Sequence, residues 1–371
     1  MTKAAELAKM GEVLTNSQIG GRRNLIINGA MQVAQRGTSF TSVSSDAYHL
    51  DRFKNGMADT TARFTVTQAS SGLNGFPHCL KYDCTTAESS LSNGNARMFF
   101  HTRFEGQDLQ QLKKGTSDAE KVTVSFYVKS NKTGTYTIEI ADEDNGRRIG
   151  KTYTISSANT WEQKIVTFEG DTTGAFDNDN ANSCHLVWHL IAGANFKSGT
   201  FSTSWATQTD ANRVSSSQVN IGDSTDNTWE ITGVQMELGE QATPFEHRSF
   251  GEEERLCQRY YYRHKSDGSN QNMLGVGVVD SSTAAFMQIV PPVSMRDQPS
   301  AMETTGTASN YEVREGGGVD IVCNAVPTLS GDSTNNVFNV SYATAGSLTA
   351  RSACMGRAMA DGVHLSFTSE L

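Results

Sequence analysis

Two short blocks of the sequence hold the residue types of a nucleophilic serine and its base. Asp46 and His49 lie in the block DAYH, and Ser224 lies in the block GDST. A serine becomes nucleophilic when a base lies within hydrogen-bond reach and an acid orients that base. The serine block continues as GDSTDN, however, a run typical of a polar loop before a strand. We therefore predict no catalytic residue and no enzymatic activity.

Oxygen-rich segments raise the question of a metal ion. Asp142, Asp144 and Asn145 are ligand types that calcium prefers, but Gly146 stands where a further ligand should follow. The Asn-Gly pair is instead the strongest short signal for a β-hairpin turn. The run DNDN at residues 177–180 favours a solvated loop. The sequence therefore predicts no metal site and no cofactor.

The six cysteines show no CxxC spacing of the kind that binds zinc. Cys79 and Cys84 bracket HCLKYDC, which has the pattern of a strand. In an extended chain they would lie about 16 Å apart, whereas a disulfide needs a Cα separation of about 4.4–6.8 Å. We expect free, mostly buried thiols, as in a protein assembled in a reducing cytoplasm.

Aromatic side chains that face solvent commonly stack against sugar rings. Trp188 and Trp229 alternate with apolar neighbours, which predicts that both lie in a core. Trp161 begins a strand and could be core or surface. Trp205 lies in the polar segment FSTSWATQTDANR, so it is the first candidate for a glycan contact. Tyr342, in the strand pattern VFNVSY, is the second candidate.

Charge and composition argue against two classes of partner. The formal net charge is −9, and no basic run exists that could follow a phosphate backbone, so nucleic-acid binding is not expected. No apolar stretch approaches the roughly 18 residues of a membrane span, so membrane insertion is not expected. A charged fraction of only 19%, together with 33 glycines, favours many short strands joined by turns. The predicted fold class is all-β.

Strand patterns recur through residues 24–246. In KVTVSFYVKS, for example, apolar side chains occupy every second position, as expected of a strand with one buried face. No helical period of useful length interrupts the series. We predict an antiparallel jelly-roll sandwich over residues 24–246.

The last strand of this region, TWEITGVQMEL, changes phase along its length. Trp229 and Ile231 share one face of an ideal strand, whereas Val234 and Met236 share the other. Gly233 lies at the switch, and one inserted residue is enough to bring both groups to one face. The pattern predicts a β-bulge at Gly233.

The first 23 residues carry a short helical pattern. Ala4, Leu7, Gly11 and Leu14 are spaced 3, 4 and 3 residues apart, which places them on one face of a helix. A stripe this short cannot stabilise an isolated helix in water. We therefore predict that these four residues mediate oligomerisation or anchoring, against copies of the chain or a groove on another protein.

A charged connector follows the sandwich. Pro244 stops the last strand because proline has no ladder donor, and Ser249 with Glu252 has the spacing of a helix capping box. We predict a connecting helix over residues 247–264. Strand patterns then resume, so residues 265–371 are expected to form a second, smaller β-sandwich at the tip of the molecule.

Three segments resemble tail-fibre and virion appendage proteins of tailed bacteriophages. NLIINGAMQVAQRGTSF followed by YHLDRF resembles the start of their jelly-roll domain, and GVQMELGEQATPFEHRSFGEEERLCQRYY resembles the junction that closes it. PPVSMRDQPS and the final LSFTSEL are similar to their terminal domain. The resemblance implies a trimeric virion structural protein with a domain akin to carbohydrate-binding modules.

These inferences combine into one functional hypothesis. The chain would be a structural fibre or spike protein of the virion, assembled in the host cytoplasm as a homotrimer. Its N-terminus would bind other virion proteins of the tail, an adaptor or the capsid, and its last domain would attach to a host-surface glycan through many weak contacts. One alternative is a capsid-attached fibre or decoration protein with an assembly role. Another is a glycan esterase or depolymerase, although the DAYH and GDST blocks stand in the reverse of the order found in such esterases.

Overall fold

The protein is described from a computed structural model, which covers residue 3, residues 23–267 and residues 272–371. The chain divides into two compact units, with the division between Ser249 and Phe250. Each unit is built from antiparallel sheets, so the predicted all-β class is confirmed. The predicted N-terminal stripe of Ala4, Leu7, Gly11 and Leu14 lies outside the described residues.

The first unit is a jelly-roll β-sandwich of two sheets. Its strands are β1 (Ser39–Val43), β2 (Ala47–Tyr48), β3 (Phe53–Ala58), β4 (Arg63–Leu73), β5 (Phe76–Thr86), β6 (Arg97–Glu105), β7 (Val122–Ser130), β8 (Gly134–Asp142), β9 (Arg147–Ile155), β10 (Glu162–Phe168), β11 (Asn182–Ala192), β12 (Ala206–Thr207) and β13 (Thr228–Leu238). Short 3₁₀ segments occupy Gly106–Leu112, Ala194–Phe196 and Asp210–Asn212. One sheet has the order β1-β4-β5-β13-β7-β10, and the other has the order β12-β9-β8-β11-β6-β3-β2. We call the second the seven-stranded sheet.

The core of the first unit lies between its two sheets. Trp188 of β11 and Trp229 of β13 are both fully buried, as the alternation with apolar neighbours predicted. Phe100 of β6 joins them, with ring centres 5.3 Å from Trp188 and 5.7 Å from Trp229. Aromatic rings therefore tie the two sheets together at the centre of the sandwich.

The bulge predicted at Gly233 is confirmed. The register of β13 on β7 shifts between Thr232 and Gln235, and Gly233 has a φ of +62°. A Cβ at this position would lie 2.9 Å from the rings of Phe76 and Tyr127. Glycine is therefore required both by the backbone conformation and by the space.

The hairpin predicted at Asn145-Gly146 is also confirmed. Strands β8 and β9 pair from Asp142 with Arg147 onward, and Gly146 has a φ of +61°. The Asn145 amide donates to the Asp142 carboxylate at 3.0 Å. The Asp142 side chain therefore stabilises the turn itself.

The two ends of the first unit are fastened to each other, in what we call the terminal clamp. The Glu246 carboxylate accepts the main-chain N–H groups of Arg23 and Asn24, each at 2.7 Å. Arg248 donates to the carbonyl oxygens of Asn24 and, at 2.9 Å, of Ile26. The Asn24 side chain also bonds main-chain groups of β13. The segments that begin and end this unit, more than 200 residues apart in sequence, are thus one hydrogen-bonded assembly.

The second unit is a smaller sandwich that begins with a helix. Its elements are α1 (Phe250–Gln258), β14 (Tyr261–Lys265), β15 (Asn272–Ser281), β16 (Ala284–Ile289), β17 (Ala301–Thr304), β18 (Tyr311–Glu315), β19 (Asp320–Val322), β20 (Thr328–Leu329), β21 (Phe338–Ala343), β22 (Ala353–Ala358) and β23 (His364–Thr368). One sheet has the order β14-β23-β17, and the other has the order β19-β18-β22-β15-β16-β21-β20. Phe338 and Phe367, with ring centres 4.2 Å apart, join the two sheets in the core.

The connecting helix predicted over 247–264 is too long. Helix α1 ends at Gln258, and the chain turns at Tyr260 into strand β14. Tyr261 pairs with Thr368 of β23 and is fully buried. Ladder bonds and burial of this tyrosine stabilise the strand over a continued helix. The second sandwich therefore begins at residue 261 rather than 265.

The six cysteines are free and buried, as expected. Cys79 and Cys84 lie on the single strand β5, which keeps their thiols apart.

Among the helices of the described residues, none has the length and apolar character needed to cross a bilayer.

Candidate functional site

The outer face of the seven-stranded sheet carries an unusual set of side chains. Residues alternate along β6, so Phe99, His101 and Arg103 point away from the core. In the neighbouring strand β11, Val187 is the partner of His101 and His185 is the partner of Arg103. The rings of His101 and His185 lie 5.3 Å apart. Because opposite residues of an antiparallel pair are direct neighbours, these five side chains form one continuous surface.

Phe99 is the aromatic part of this surface. It lies opposite Gly56 of β3, where a Cβ would come within 2.2–2.8 Å of three ring atoms. The ring therefore lies directly over the glycine. The rings of His101 and His189 approach it at 5.2 and 6.1 Å between ring centres. The ring is held on three sides and is half-buried, with part of its surface open to solvent.

Loops around this surface turn it into a cleft of about 370 Å³, which we call the outer cleft. Asp46 comes from the segment before β2, Asn95 from the segment before β6, and Glu143 from the β8–β9 turn. Phe196 and Asp210 come from two of the short 3₁₀ segments. Pockets for small ligands typically measure about 300–1,000 Å³ and combine aromatic walls with a few polar groups. The outer cleft has that size, but its lining is mostly polar, and Phe99, Val187 and Phe196 are its apolar part.

A buried carboxylate organises the floor of the outer cleft. Glu139 of β8 is 1% exposed and accepts hydrogen bonds from Arg213 at 3.0 and 3.3 Å and from Arg148 at 3.3 Å. His189 Nε2 lies 3.3 Å from the same carboxylate. Burial raises the pKa of Glu139, but Arg213, His189 and Arg148 outweigh burial and hold the pKa well below its usual range. The glutamate is therefore charged, and it fixes two guanidinium groups at the cleft.

The two central histidines of the floor are neutral. Burial lowers the pKa of His101 well below its usual value, and the charges of Arg103, Lys54 and Arg213 lower it further. Burial, then Arg103 and Arg148, lower the pKa of His185 in the same way. His101 is 1% exposed, and its Nδ1 has no hydrogen-bond partner within the described part of the chain. Both imidazoles are therefore uncharged at the floor of the outer cleft, chiefly because they are buried.

A second buried charge cluster lies outside the outer cleft. The Lys114 ammonium is surrounded by oxygen atoms: the carbonyls of Thr173 and Gly174 at 2.9 and 2.6 Å, and the carboxylates of Asp142 and Asp171 at 2.5 and 3.2 Å. The side chain is 4% exposed. A lysine here occupies a cage of oxygen ligands and neutralises two buried acids.

Trp205, the first candidate for a glycan contact, is half-buried rather than exposed. Its ring packs against the core and lies 5.3 Å from the Lys114 ammonium, and its indole N–H donates to the Glu169 carbonyl at 2.7 Å. Polar flanking residues therefore did not predict the exposure of this ring. Its contact with a glycan stays a prediction.

Tyr342, the second candidate, is corrected by the structure. Its side chain is fully buried in the core of the second unit, so no saccharide reaches it. Alternate residues of β21 face inward, and Tyr342 falls in that phase with Phe338 and Val340. The ring fits because its neighbour is Gly356, where a Cβ would lie 2.7 Å from it.

No family model and no curated protein matches the sequence. Solved structures with a similar chain path include a domain of tailspike protein 4 of bacteriophage CBA120, which is 12% identical over 58% of this chain and 21% of its own, with a TM-score of 0.30. This chain thus matches about a fifth of that domain's length. A second is the carbohydrate-binding module TmCBM61, which is 10% identical over 59% of this chain and 100% of its own, with a TM-score of 0.31. A third is the family 11 carbohydrate-binding module of Clostridium thermocellum, which is 12% identical over 54% of this chain and 96% of its own, with a TM-score of 0.26. Likenesses this distant assign neither a ligand nor an activity.

The residues considered for serine chemistry do not meet. The Ser224 hydroxyl accepts the N–H of Asp226 at 3.2 Å in a turn. His49 is 4% exposed and packs edge-on against Phe40, with ring centres 4.7 Å apart. Within the described residues, no hydrogen bond joins Ser224 to His49, so the two blocks do not form a nucleophile and base.

The acidic segments considered for a metal ion are used in turns. The Asp177 N–H donates to the Asp144 carboxylate at 2.9 Å, which links the two segments. Across residues 23–267 and 272–371, no three His, Cys, Asp or Glu side chains are grouped so as to hold a metal ion.

The residues of the outer cleft were missed by sequence reasoning. One local signal was present: in the strand patterns of β6 and β11, histidines and an arginine repeatedly occupy the phase that faces away from the apolar residues. Glu139, Arg148 and Arg213 gave no such signal. They meet only because β8 lies between β9 and β11 in the folded sheet and a distant loop brings Arg213 to Glu139.

Proposed function

We propose that this chain is a non-enzymatic fibre or spike protein of a tailed-bacteriophage virion, and that its first unit binds a host-surface glycan in the outer cleft. The virion role is supported by the resemblance of the three sequence segments. The glycan role is supported by the outer cleft. The observation that carries it is the half-buried Phe99 ring, which lines the outer cleft, is fixed over Gly56 and is bordered by charged hydrogen-bonding side chains.

The chemistry of the outer cleft suits a sugar. A pyranose ring has apolar C–H faces and hydroxyl groups at its edge. The faces would stack on Phe99, as apolar groups do on aromatic rings. The hydroxyl groups would bond the Asn95 amide and the carboxylates and guanidinium groups of the walls. Each such site would be weak, and a homotrimer held by the N-terminal stripe would raise avidity by presenting three.

The test uses the full chain and an array of purified bacterial polysaccharides. The Phe99→Ala variant should bind the retained saccharides at least about tenfold more weakly, since loss of one stacking contact costs about 1.4 kcal/mol. Phe250→Ala is the matched control because Phe250 is 54% exposed but does not line the outer cleft. Thermal unfolding of both variants checks that the fold is retained. Failure of the unaltered chain to bind any polysaccharide, or full binding by Phe99→Ala, would overturn the proposal.

A further inference from the structure

Four arginines gather at the outer cleft of a protein that is acidic overall. Arg97, Arg103, Arg148 and Arg213 line it together with Asp46, Glu143 and Asp210, and the charged Glu139 lies beneath its floor. The acids balance the arginines in number, so the affinity of the cleft for an anion depends on which guanidinium groups they leave unpaired.

Two of these arginines are already neutralised within the protein. Arg213 and Arg148 share the buried Glu139, and Arg148 also binds Glu143 at 3.0 Å. These ion pairs hold the guanidinium groups in place and leave them little unused charge.

Arg97 is in a different situation. Its side chain is 38% exposed, and its one ion pair in the described part of the chain is a loose contact of 3.7 Å with Asp59, itself 45% exposed. A contact of this length is too long for a hydrogen bond. The donors of this guanidinium are therefore available to a ligand.

Arg97 is also placed beside the aromatic ring that would hold a sugar. It precedes Phe99 by two residues on β6, so both side chains leave the same face of the strand about 7 Å apart. The guanidinium groups of Arg97 and Arg213 lie 5.7 and 5.9 Å from the centre of the Phe196 ring, which makes this wall of the cleft cationic.

From this arrangement we infer that the outer cleft takes an acidic saccharide, one whose carboxylate or phosphate group binds Arg97 while its sugar ring stacks on Phe99. The inference rests on the proposed glycan-binding function and specifies its ligand class. The ion pair would be charge-assisted and, at this partly exposed site, sensitive to salt.

The experiment uses the full chain on an array that holds both acidic and neutral bacterial polysaccharides. We expect the retained polysaccharides to be acidic and their binding to fall as salt is raised from 50 to about 500 mM. Arg97→Gln should weaken binding at least about tenfold. Arg314→Gln is the control, because Arg314 is similarly exposed (36%) and lies beside an acid, Asp320, at 3.1 Å, but belongs to the second unit.

Chemical editing of the retained polysaccharide then distinguishes the two anionic groups. Reduction of carboxyl groups to alcohols should abolish binding of a uronate polymer, and dephosphorylation with hydrofluoric acid should abolish binding of a phosphorylated one. If neutral polysaccharides bind equally well and only Phe99→Ala weakens them, the cleft binds glycans but the inference of an acidic ligand is wrong. If no polysaccharide binds, the proposed function itself fails.

Discussion

The two units of this protein bury ionisable side chains to very different extents. In the described part of the first unit, thirteen acidic, basic and histidine side chains are buried, against three in the second: Glu312, Glu315 and Arg357. The first unit is about twice as long, so its density of buried charge is still roughly double. Buried ions cost desolvation free energy and persist where partners compensate them. Their concentration in one unit shows that this unit depends on internal ion pairs and hydrogen bonds more than the other does.

The outer faces of the two large sheets show the same contrast. In the first unit, the outer face is polar, concave and walled by loops. In the second, Val276 and Val278 of β15 face outward and are 52% and 50% exposed, while Gly277 between them has the opposite phase. The two sandwiches therefore share an architecture but present different chemistry on their outer faces.

Acid should unfold the first unit before the second, the largest effect that we expect. Four of its buried histidines have lowered pKa values: His49, His101, His185 and His189. Burial and nearby Arg36 lower the pKa of His49 from 6.5 to about 4. The unfolded chain therefore takes up protons first as the pH falls, so stability is complete above pH 6.5 and is lost down to about pH 4, by about 3 kcal/mol for His49 alone.

Urea unfolding measured at pH 7.5 and pH 5 would detect this loss. All four tryptophans lie in the first unit, so their fluorescence reports that unit alone. The second unit holds two histidines, His264 and His364, which are only partly buried. Equal acid sensitivity of the two units, or a first unit as stable at pH 5 as at pH 7.5, would contradict the contrast.

Lys114→Met should destabilise the first unit by about 3–5 kcal/mol, because it leaves the buried Asp142 carboxylate without its cation, while Asp171 keeps its ion pair with Arg147. The adjacent Lys113→Met is the control: Lys113 is 54% exposed and pairs with Glu120 at the surface, so we expect no measurable change. The readout is the urea midpoint from tryptophan fluorescence. Two variants of equal stability would show that the buried cluster contributes nothing.

In the second unit, packing rather than charge should be the sensitive feature. Gly356→Ala would bring a Cβ to 2.7 Å from the buried Tyr342 ring, and we expect a loss of about 1–3 kcal/mol. Gly317→Ala, at a turn with open space around it, should change stability by less than about 0.5 kcal/mol. Calorimetry measures the stability of both variants, because it detects the unfolding of the second unit, which contains no tryptophan. A neutral Gly356→Ala would mean that the core of this unit adjusts more freely than its packing indicates.

The parts of the fold that could be predicted are those that depend on neighbouring residues in the sequence. Alternation identified the strands and the burial of Trp188 and Trp229, and the phase switch identified the bulge at Gly233. Tyr342 shows the limit of the same pattern. Alternation separates the two faces of a strand, but packing against the other sheet decides which face is buried.

The outer cleft could not be predicted for a related reason. Its floor joins β3, β6, β11 and β8, and β3 and β11 are separated by well over a hundred residues. The charge state of Glu139 depends on Arg213, 74 residues away. Long-range strand order determines such contacts, and nothing in a single strand encodes that order.

The terminal clamp has a mechanical consequence for a chain that is held at one end. Glu246 and Arg248 join the exit of the first unit directly to its entry at Arg23 and Asn24. Tension applied along the polypeptide would therefore run through these few bonds and bypass the sheets, so the outer cleft would keep its shape under load.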